Sequence, residues 1–355
     1  MQTTPQTSTQ SFGKVFAALG LLIMLCCLGV VCYSAGLFFV VDRDISLIPT
    51  PTLDLTCTDT TCLNACLRRL PNFEIIPLSQ HLDELSKKQG GYELARYRLD
   101  EQSGQLKNVA TPTVADYLKP YQADTQLHYR IWDYFTGIFP NDSDIHVSYM
   151  IVYMDGSENR YAASIWELDG KWRLYVNLLE FDSPQVVMDI LTHEYGHMLT
   201  LNQTQTRDVT SEYGREMEQK DFDKMRSACS DRFFTGYACA TDSSYMNAFG
   251  NRFWSKEVYE AWVSAFLLLD KEDGLNKTAI NKFYAKYPDQ FVSEYAATNP
   301  MEDMAESWTG FVMRQKPIGT SIADQKVLFF YEFPELVQTR EAIIQGVCQY
   351  AVDQK

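Results

Sequence analysis

The chain has 355 residues, of which 46% are apolar and 13% aromatic, and this composition excludes a chain that is disordered over most of its length. The net charge is −15 at pH 7, and no cluster of lysines and arginines stands out along the sequence. We therefore do not expect a nucleic-acid partner, because binding to phosphates requires basic patches. The length fits one large domain or two modest ones.

The N-terminus predicts a membrane anchor. Residues 1–14 are rich in Thr, Gln and Ser and indicate a disordered tail. Residues 15–41 form an uncharged, mostly apolar run, which as a helix reaches about 40 Å and can cross a hydrocarbon core of about 30 Å. We interpret this run as a single transmembrane helix. The alternative is a signal peptide that is cleaved near residues 34–36, which would give a secreted protein.

The cysteines indicate an oxidising compartment. Six of the nine lie outside the apolar run: Cys57, Cys62, Cys66, Cys229, Cys239 and Cys348. An even number fits up to three disulfides, so we predict a domain outside the cytoplasm; six reduced thiols in the cytosol are the alternative. Cys229 and Cys239 are the expected local pair, whereas Cys62 and Cys66 need partners elsewhere. A zinc cluster of Cys57, Cys62 and Cys66 is a weaker hypothesis, because the chain has no CxxC pair there.

The rest of the chain predicts an α+β protein. Residues 42–120 are interpreted as a linker and an ancillary cysteine-bearing region, and residues 121–355 as the catalytic domain. An apolar helical face predicts a helix over 123–139, and alternation with turn signals predicts a three-stranded meander of strands 147–154, 161–168 and 172–181. A helix should then begin with Ser183 as N-cap and Pro184 at its first position, and run to about Leu201.

This helix carries the sequence His-Glu-Tyr-Gly-His at 193–197. Positions i and i+4 share one helical face, so the imidazoles of His193 and His197 can bind one ion. Imidazole nitrogen suits Zn²⁺, and Glu194 beside it can take a proton from a zinc-bound water that attacks a carbonyl carbon. The pattern predicts a zinc-dependent hydrolase; two histidines that happen to lie one turn apart are the alternative.

The third zinc ligand should be a carboxylate, because no histidine follows His197. Asn299 followed by Pro300 predicts a helix start, after which Glu302 and Glu306 share one face at i and i+4. One can serve as ligand and the other can accept the free N–H of a ligating histidine. We favour Glu302 as the ligand, although its spacing from Asn299 also fits a capping box, in which case Glu306 would be the ligand.

The His-Glu-Tyr-Gly-His motif, the distant Tyr295 and the pair Glu302 and Glu306 resemble the gluzincin zinc peptidases, especially the catalytic domain of anthrax lethal factor. The resemblance covers roughly residues 121–315. It implies a zincin-like fold with a small antiparallel sheet and a mainly helical lower part. It also implies that Glu302 is the third ligand, that Glu306 supports a zinc-binding histidine, and that Tyr295 hydrogen-bonds the reacting oxygen. The long segment between the motifs, with Cys229 and Cys239, departs from that family.

The sequence thus predicts a membrane-anchored zinc metallopeptidase that acts on a peptide or protein substrate, with Glu194 as general base. The strand over 172–181 is expected to hold the substrate by edge pairing. The alternative is a catalytically silent binding or scaffold protein of the same fold, for which Glu194 would be dispensable.

Overall fold

A computed structural model describes residues 58–76, 81–140, 145–158, 160–168, 170–208, 219–267 and 277–354. The predicted tail and transmembrane run, residues 1–41, lie outside this part of the chain. None of the described helices combines the length and the apolar composition that a membrane span requires.

The described residues form an α+β fold. The strands are β1 (Tyr92–Leu99), β2 (Leu106–Ala110), β3 (Val147–Met154), β4 (Ala163–Leu168), β5 (Lys171–Asn177), β6 (Thr206–Asp208) and β7 (Ala238–Ala240). Four helices precede β3 in the chain: α1 (Thr60–Leu67), α2 (Leu82–Leu85), α3 (Lys119–Ala123) and α4 (Thr125–Ile138). The later helices are α5 (Pro184–Leu201), α6 (Gln219–Ala228), α7 (Tyr245–Phe253), α8 (Lys256–Phe266), α9 (Lys277–Lys286), α10 (Pro300–Met313), α11 (Ile322–Phe329) and α12 (Pro334–Asp353).

The main sheet has five strands in the order β2-β1-β3-β5-β4. Strands β3 and β5 are parallel and the other neighbouring pairs are antiparallel. The three predicted strands exist, but the predicted meander is wrong, because β5 lies between β3 and β4. The turn signals at residues 169–170 fix the β4–β5 hairpin locally, but they do not decide which strand of that hairpin pairs with β3.

The first two strands come from the region that was interpreted as ancillary. Strand β1 pairs with β3 along most of its length, and β2 extends the sheet on its other side. The described residues, which begin at residue 58, all belong to one compact unit. The predicted boundary at residue 120 therefore does not separate two domains, since the sheet is built from residues on both sides of it.

One face of the sheet packs against helices. Met150 and Val152 of β3 and Leu174 and Val176 of β5 point to this face and are fully buried, as the alternation of a half-buried strand requires. Helix α4 lies on the same face, where His128 Nδ1 is 2.8 Å from Tyr97 Oη of β1. Helix α5 follows beside it and contacts β4.

The two helices that carry the motifs begin at the predicted residues. Ser183 Oγ accepts a hydrogen bond from Val186 N, with Pro184 at the first position of α5. Asn299 Oδ1 accepts from the backbone N–H groups of Met301 and Glu302 at 2.9 and 3.0 Å, which caps α10. Local capping chemistry therefore specifies both helix starts.

Two disulfides are formed between described cysteines, Cys229–Cys239 and Cys66–Cys348. The first confirms the predicted local pair. The second joins α1 to α12 across 282 residues of sequence and gives Cys66 the distant partner that its position requires. Cys62 is also disulfide-bonded. The alternative zinc cluster is therefore wrong, because a sulfur in a disulfide is not a thiolate ligand.

Candidate metal centre

Three predicted residues converge at the interface of α5 and α10. His193 Nε2 lies 3.0 Å from His197 Nε2, and Glu302 Oε2 lies 3.0 Å from the former and 3.1 Å from the latter. His193 and His197 are each 8% exposed. The group could hold a metal ion, since each residue offers one ligand atom to a common point.

The hydrogen bonding of His193 fixes what its Nε2 atom can do. Glu306 Oε1 lies 2.9 Å from His193 Nδ1, so in the neutral imidazole the carboxylate accepts the Nδ1–H and Nε2 carries the lone pair. That lone pair points at the Glu302 oxygen and at the second imidazole. Lone pairs at this separation repel one another unless a positive charge lies among them.

The pKa shifts of His193 and Glu302 indicate that the site favours a positive charge. Burial disfavours a charged imidazole, but the contacts with Glu302 and Glu306 outweigh it and raise the pKa of His193 to about 10. For Glu302, burial opposes ionisation, yet the two histidines hold its pKa far below its usual range. A proton or a metal cation would neutralise the same excess of negative charge.

The donor set fits a tetrahedral metal centre. Two imidazoles and one carboxylate are three protein ligands, the number that leaves one position open in catalytic sites. With bonds of about 2.0–2.1 Å, tetrahedral geometry separates two ligand atoms by about 3.3 Å. The separations of 3.0–3.1 Å between His193, His197 and Glu302 are close to that value.

Glu306 lies on the far side of His193 and does not belong to the group of three ligand atoms. It contacts the far nitrogen of His193, and its other oxygen accepts a 2.6 Å hydrogen bond from Ser293 Oγ. The capping-box role for Glu302 is not what the structure shows, since the Asn299 side chain caps the helix while Glu302 turns to the histidines. Sequence reasoning missed Ser293, because no motif or periodicity singles out a lone serine before α10.

Glu194 lies beside His193, His197 and Glu302. Its side chain is 5% exposed, and Oε2 has no hydrogen-bond partner among the described residues. The backbone N–H of Ile165 in β4 hydrogen-bonds to the carboxylate. Burial raises the pKa of Glu194, although both histidines oppose the shift. A buried carboxylate with a raised pKa and an unoccupied oxygen is suited to accept a proton.

Tyr295 lies at the rim of the site. Its ring centroid is 5.7 Å from that of His193, and 41% of the side chain is exposed. The surrounding protein and the charge of Glu302 raise its pKa well above the ordinary value, so the hydroxyl stays protonated at neutral pH. It begins a 3-10 turn over Tyr295–Ala297, within which Ala296 N donates a hydrogen bond to Ser293 Oγ at 3.0 Å. Tyr295 can therefore act as a hydrogen-bond donor.

Two further tyrosines were not predicted. The charge of Glu302 contributes to the raised pKa of both Tyr161 and Tyr237, after the larger effect of burial. Both phenols therefore stay protonated at neutral pH and can donate hydrogen bonds. Nothing in the sequence could have identified them, because the chain has 21 tyrosines and these two come from separate loops.

The free edge of the sheet lies next to the site, but the predicted strand does not form it. Strand β5 is paired on both sides, whereas β4 is paired only with β5 in the described part of the chain. The prediction that residues 172–181 offer an edge is therefore wrong, and β4, which contacts Glu194 through Ile165, takes that place.

No protein-family model matches the chain, and no curated protein or solved structure is significantly similar to it.

Proposed function

We propose that this chain is a membrane-anchored zinc metallopeptidase of the gluzincin type, whose zincin-like catalytic domain lies outside the cytoplasm. The observation that carries the proposal is the convergence of His193 Nε2, His197 Nε2 and Glu302 Oε2, with the unpartnered oxygen of Glu194 next to them. Zinc suits this set better than magnesium or calcium, which prefer all-oxygen ligands.

His193, His197 and Glu302 would hold the zinc ion. When bound, zinc supplies a Lewis acid that lowers the pKa of water and polarises a carbonyl. Glu306 keeps the Nδ1–H of His193 engaged and its Nε2 turned to the ligand point.

Glu194 would accept a proton from the attacking water while the water oxygen bonds to the peptide carbonyl carbon. When the carbon–nitrogen bond breaks, the same carboxyl returns that proton to the leaving amine. Tyr295 would donate a hydrogen bond to the carbonyl oxygen, where negative charge develops. The raised pKa values of Glu194 and Tyr295 favour these roles at neutral pH.

Strand β4 would bind the substrate in an extended conformation. Its outer edge has no neighbouring strand in the described part of the chain, and Glu194 is hydrogen-bonded to its central residue Ile165. A peptide added to this edge would pass directly by the general base.

The location rests on the N-terminal run at 15–41 and on the disulfides. Cys66–Cys348 and Cys229–Cys239 fit an oxidising compartment. An anchor oriented with the C-terminal domain outside, and secretion after signal cleavage, are both consistent with that compartment.

The test compares Glu194→Gln with the wild type, using the full-length chain in non-ionic detergent. We expect the variant to keep about one zinc per chain and to lose at least about 100-fold in hydrolysis of a quenched peptide library, because an amide cannot accept the proton. Glu84→Gln, an exposed glutamate on α2, is the matched control and should behave as wild type.

Hydrolysis that is insensitive to both Glu194→Gln and chelators would contradict the proposed chemistry. Zinc binding without hydrolysis in the wild type would instead favour the silent binding protein of this fold.

A further inference from the structure

The face of the main sheet that does not pack on the helices carries a row of four residues, one from each of four neighbouring strands. Trp166 of β4 pairs with Arg173 of β5, Arg173 pairs with Tyr149 of β3, and Tyr149 pairs with Arg98 of β1. Directly paired residues point to the same side of a sheet, so the four side chains form one continuous row. We call Trp166, Arg173, Tyr149 and Arg98 the transverse row.

The transverse row concentrates positive charge around one aromatic ring. The guanidinium carbons of Arg173 and Arg98 lie 5.1 and 6.0 Å from the centroid of Tyr149. Each cation–π contact is favourable, but the two contacts together bring two positive charges to the same ring. The neighbouring Arg96 differs, because Glu93 neutralises it at 2.8 Å.

Neither arginine of the row has a counterion among the residues that the structure describes. Within the described ranges, no aspartate or glutamate lies at salt-bridge distance from Arg98 or Arg173. The Nε atom of Arg173 is shielded from solvent and makes no hydrogen bond there. On a chain with a net charge of −15, such a row is a local exception that favours an anionic partner.

The position of the row points to the substrate as that partner. Its outer end, Trp166, is 40% exposed and lies on the free-edge strand β4, one residue from Ile165, whose backbone N–H contacts Glu194. Three strand spacings of about 4.8 Å make the row about 14 Å long, which an extended segment of about four or five residues covers. A peptide that leaves the β4 edge can therefore continue across the row.

We infer that the transverse row binds an acidic segment of the peptide substrate outside the scissile bond. Carboxylates would pair with Arg98 and Arg173, and an apolar side chain would pack on Trp166. This inference deepens the proposed peptidase function and rests on it for the identity of the partner. A basic cluster was not expected from the sequence, because its members are separated by up to 75 positions and meet only through strand pairing.

The test measures binding and hydrolysis separately. The first probe is a dye-labelled peptide with four glutamates, compared with the same peptide carrying four glutamines, and its binding to full-length Glu194→Gln is followed by fluorescence anisotropy. We expect the glutamate peptide to bind about three- to tenfold more tightly at low salt, as two half-exposed ion pairs allow. The difference should shrink as salt is added.

Variants made in that background assign the effect to the row. The double change R98Q/R173Q should abolish the preference, and R98K/R173K should retain most of it because the charges remain. Arg252→Gln is the matched control, since Arg252 is an exposed arginine on α7 that pairs with Glu332. The thermal unfolding midpoint of each variant shows whether it folds, and single Arg98→Gln, at a more exposed position, replaces the double variant if that one does not.

Equal binding of the two peptides, or an undiminished preference in R98Q/R173Q, would overturn the inference. Cleavage of glutamate and glutamine substrates at equal rates by the wild type would also overturn it, while leaving the peptidase function standing. A row-dependent preference in binding without any hydrolysis would support the anionic surface and count against the peptidase.

Discussion

His193 is held at both of its ring nitrogens, and the two contacts have different functions. Glu302 lies on the Nε2 side with His197, whereas Glu306 lies on the Nδ1 side with Ser293 behind it. The contact with Glu302 brings the three ligand atoms together, and the contact with Glu306 sets the tautomer and the orientation of the ring. Loss of Glu302 and loss of Glu306 should therefore weaken metal binding to different extents.

We expect Glu306→Ala to lower zinc affinity by about 10–100-fold, because His193 loses the acceptor of its Nδ1–H, while saturating zinc still gives one ion per chain. Ser293→Ala should have a smaller effect in the same direction. Competition with a chromophoric chelator measures both. Glu294→Ala, an exposed neighbour of Tyr295, is the control. Wild-type affinity in Glu306→Ala would show that its contact with His193 is incidental.

The sequence predicts which residues form this centre better than it predicts the role of each residue. The i, i+4 spacing of His193 and His197 is local and could be read directly, as could the pair Glu302 and Glu306. Which glutamate faces the Nε2 atoms depends on how α10 is rotated against α5, a tertiary contact that spacing does not encode. Ser293 enters through the same contact, so no local pattern could have revealed it.

At the scale of elements, Gly196 allows α5 and α10 to approach closely. A Cβ atom at Gly196 would lie 2.8 Å from Trp308 Cδ1 and 3.4 Å from Ala305 Cα. Trp308 is fully buried, so its ring has little room to move away. The glycine within the motif thus brings the helix of the histidines within reach of the helix of the glutamates.

Gly196→Ala should therefore destabilise the fold even though alanine favours a helix by about 1 kcal/mol. Overpacking of this kind costs about 1–3 kcal/mol, and the displaced α10 should also reduce zinc affinity. Chemical denaturation and chelator competition on the same samples test this. Ala248→Gly, a helical position on α7 away from the site, is a control for backbone propensity alone. A Gly196→Ala protein as stable as wild type, with the same zinc affinity, would mean that the contact tolerates a methyl group.

Element starts could be predicted, whereas strand order could not. Ser183 with Pro184 and Asn299 with Pro300 act within one helical turn, so the chemistry that starts α5 and α10 lies in adjacent residues. The place of β5 between β3 and β4 depends on pairing between distant segments. The contribution of β1 and β2 to the sheet could not be predicted for the same reason, since it also depends on pairing between distant segments.

On the scale of the whole molecule, the disulfide Cys66–Cys348 joins the first described helix to the last. Arg340 of α12 reinforces this closure, since its Nη1 donates to Thr58 O at 2.9 Å and its Nε donates to Phe311 O of α10 at 2.7 Å. The C-terminal helix therefore contacts both the N-terminal segment and the helix that carries Glu302.

Removal of the long-range disulfide should destabilise the protein more than removal of the short one. In the chain-entropy model a loop closed across 282 residues contributes up to about 5–6 kcal/mol, and one closed across 10 residues about 3 kcal/mol. We expect C66A/C348A to lower the free energy of unfolding by about 2–5 kcal/mol, and C229A/C239A to lower it less. Denaturant titration of both variants tests the order, and a larger loss in C229A/C239A would contradict it.

If His193, His197 and Glu302 form a zinc centre, the folded protein should contain zinc, and its zinc content should depend on Glu302. The measurement is inductively coupled plasma mass spectrometry on the full-length wild type, Glu302→Ala and Glu335→Ala, the last altering a carboxylate on α12 that accepts from Tyr245. We predict about one zinc per chain in the wild type and in Glu335→Ala, and none in Glu302→Ala. A wild-type protein that is folded but free of zinc after purification in zinc-supplemented buffer, or a Glu302→Ala protein that retains its zinc, would contradict the account.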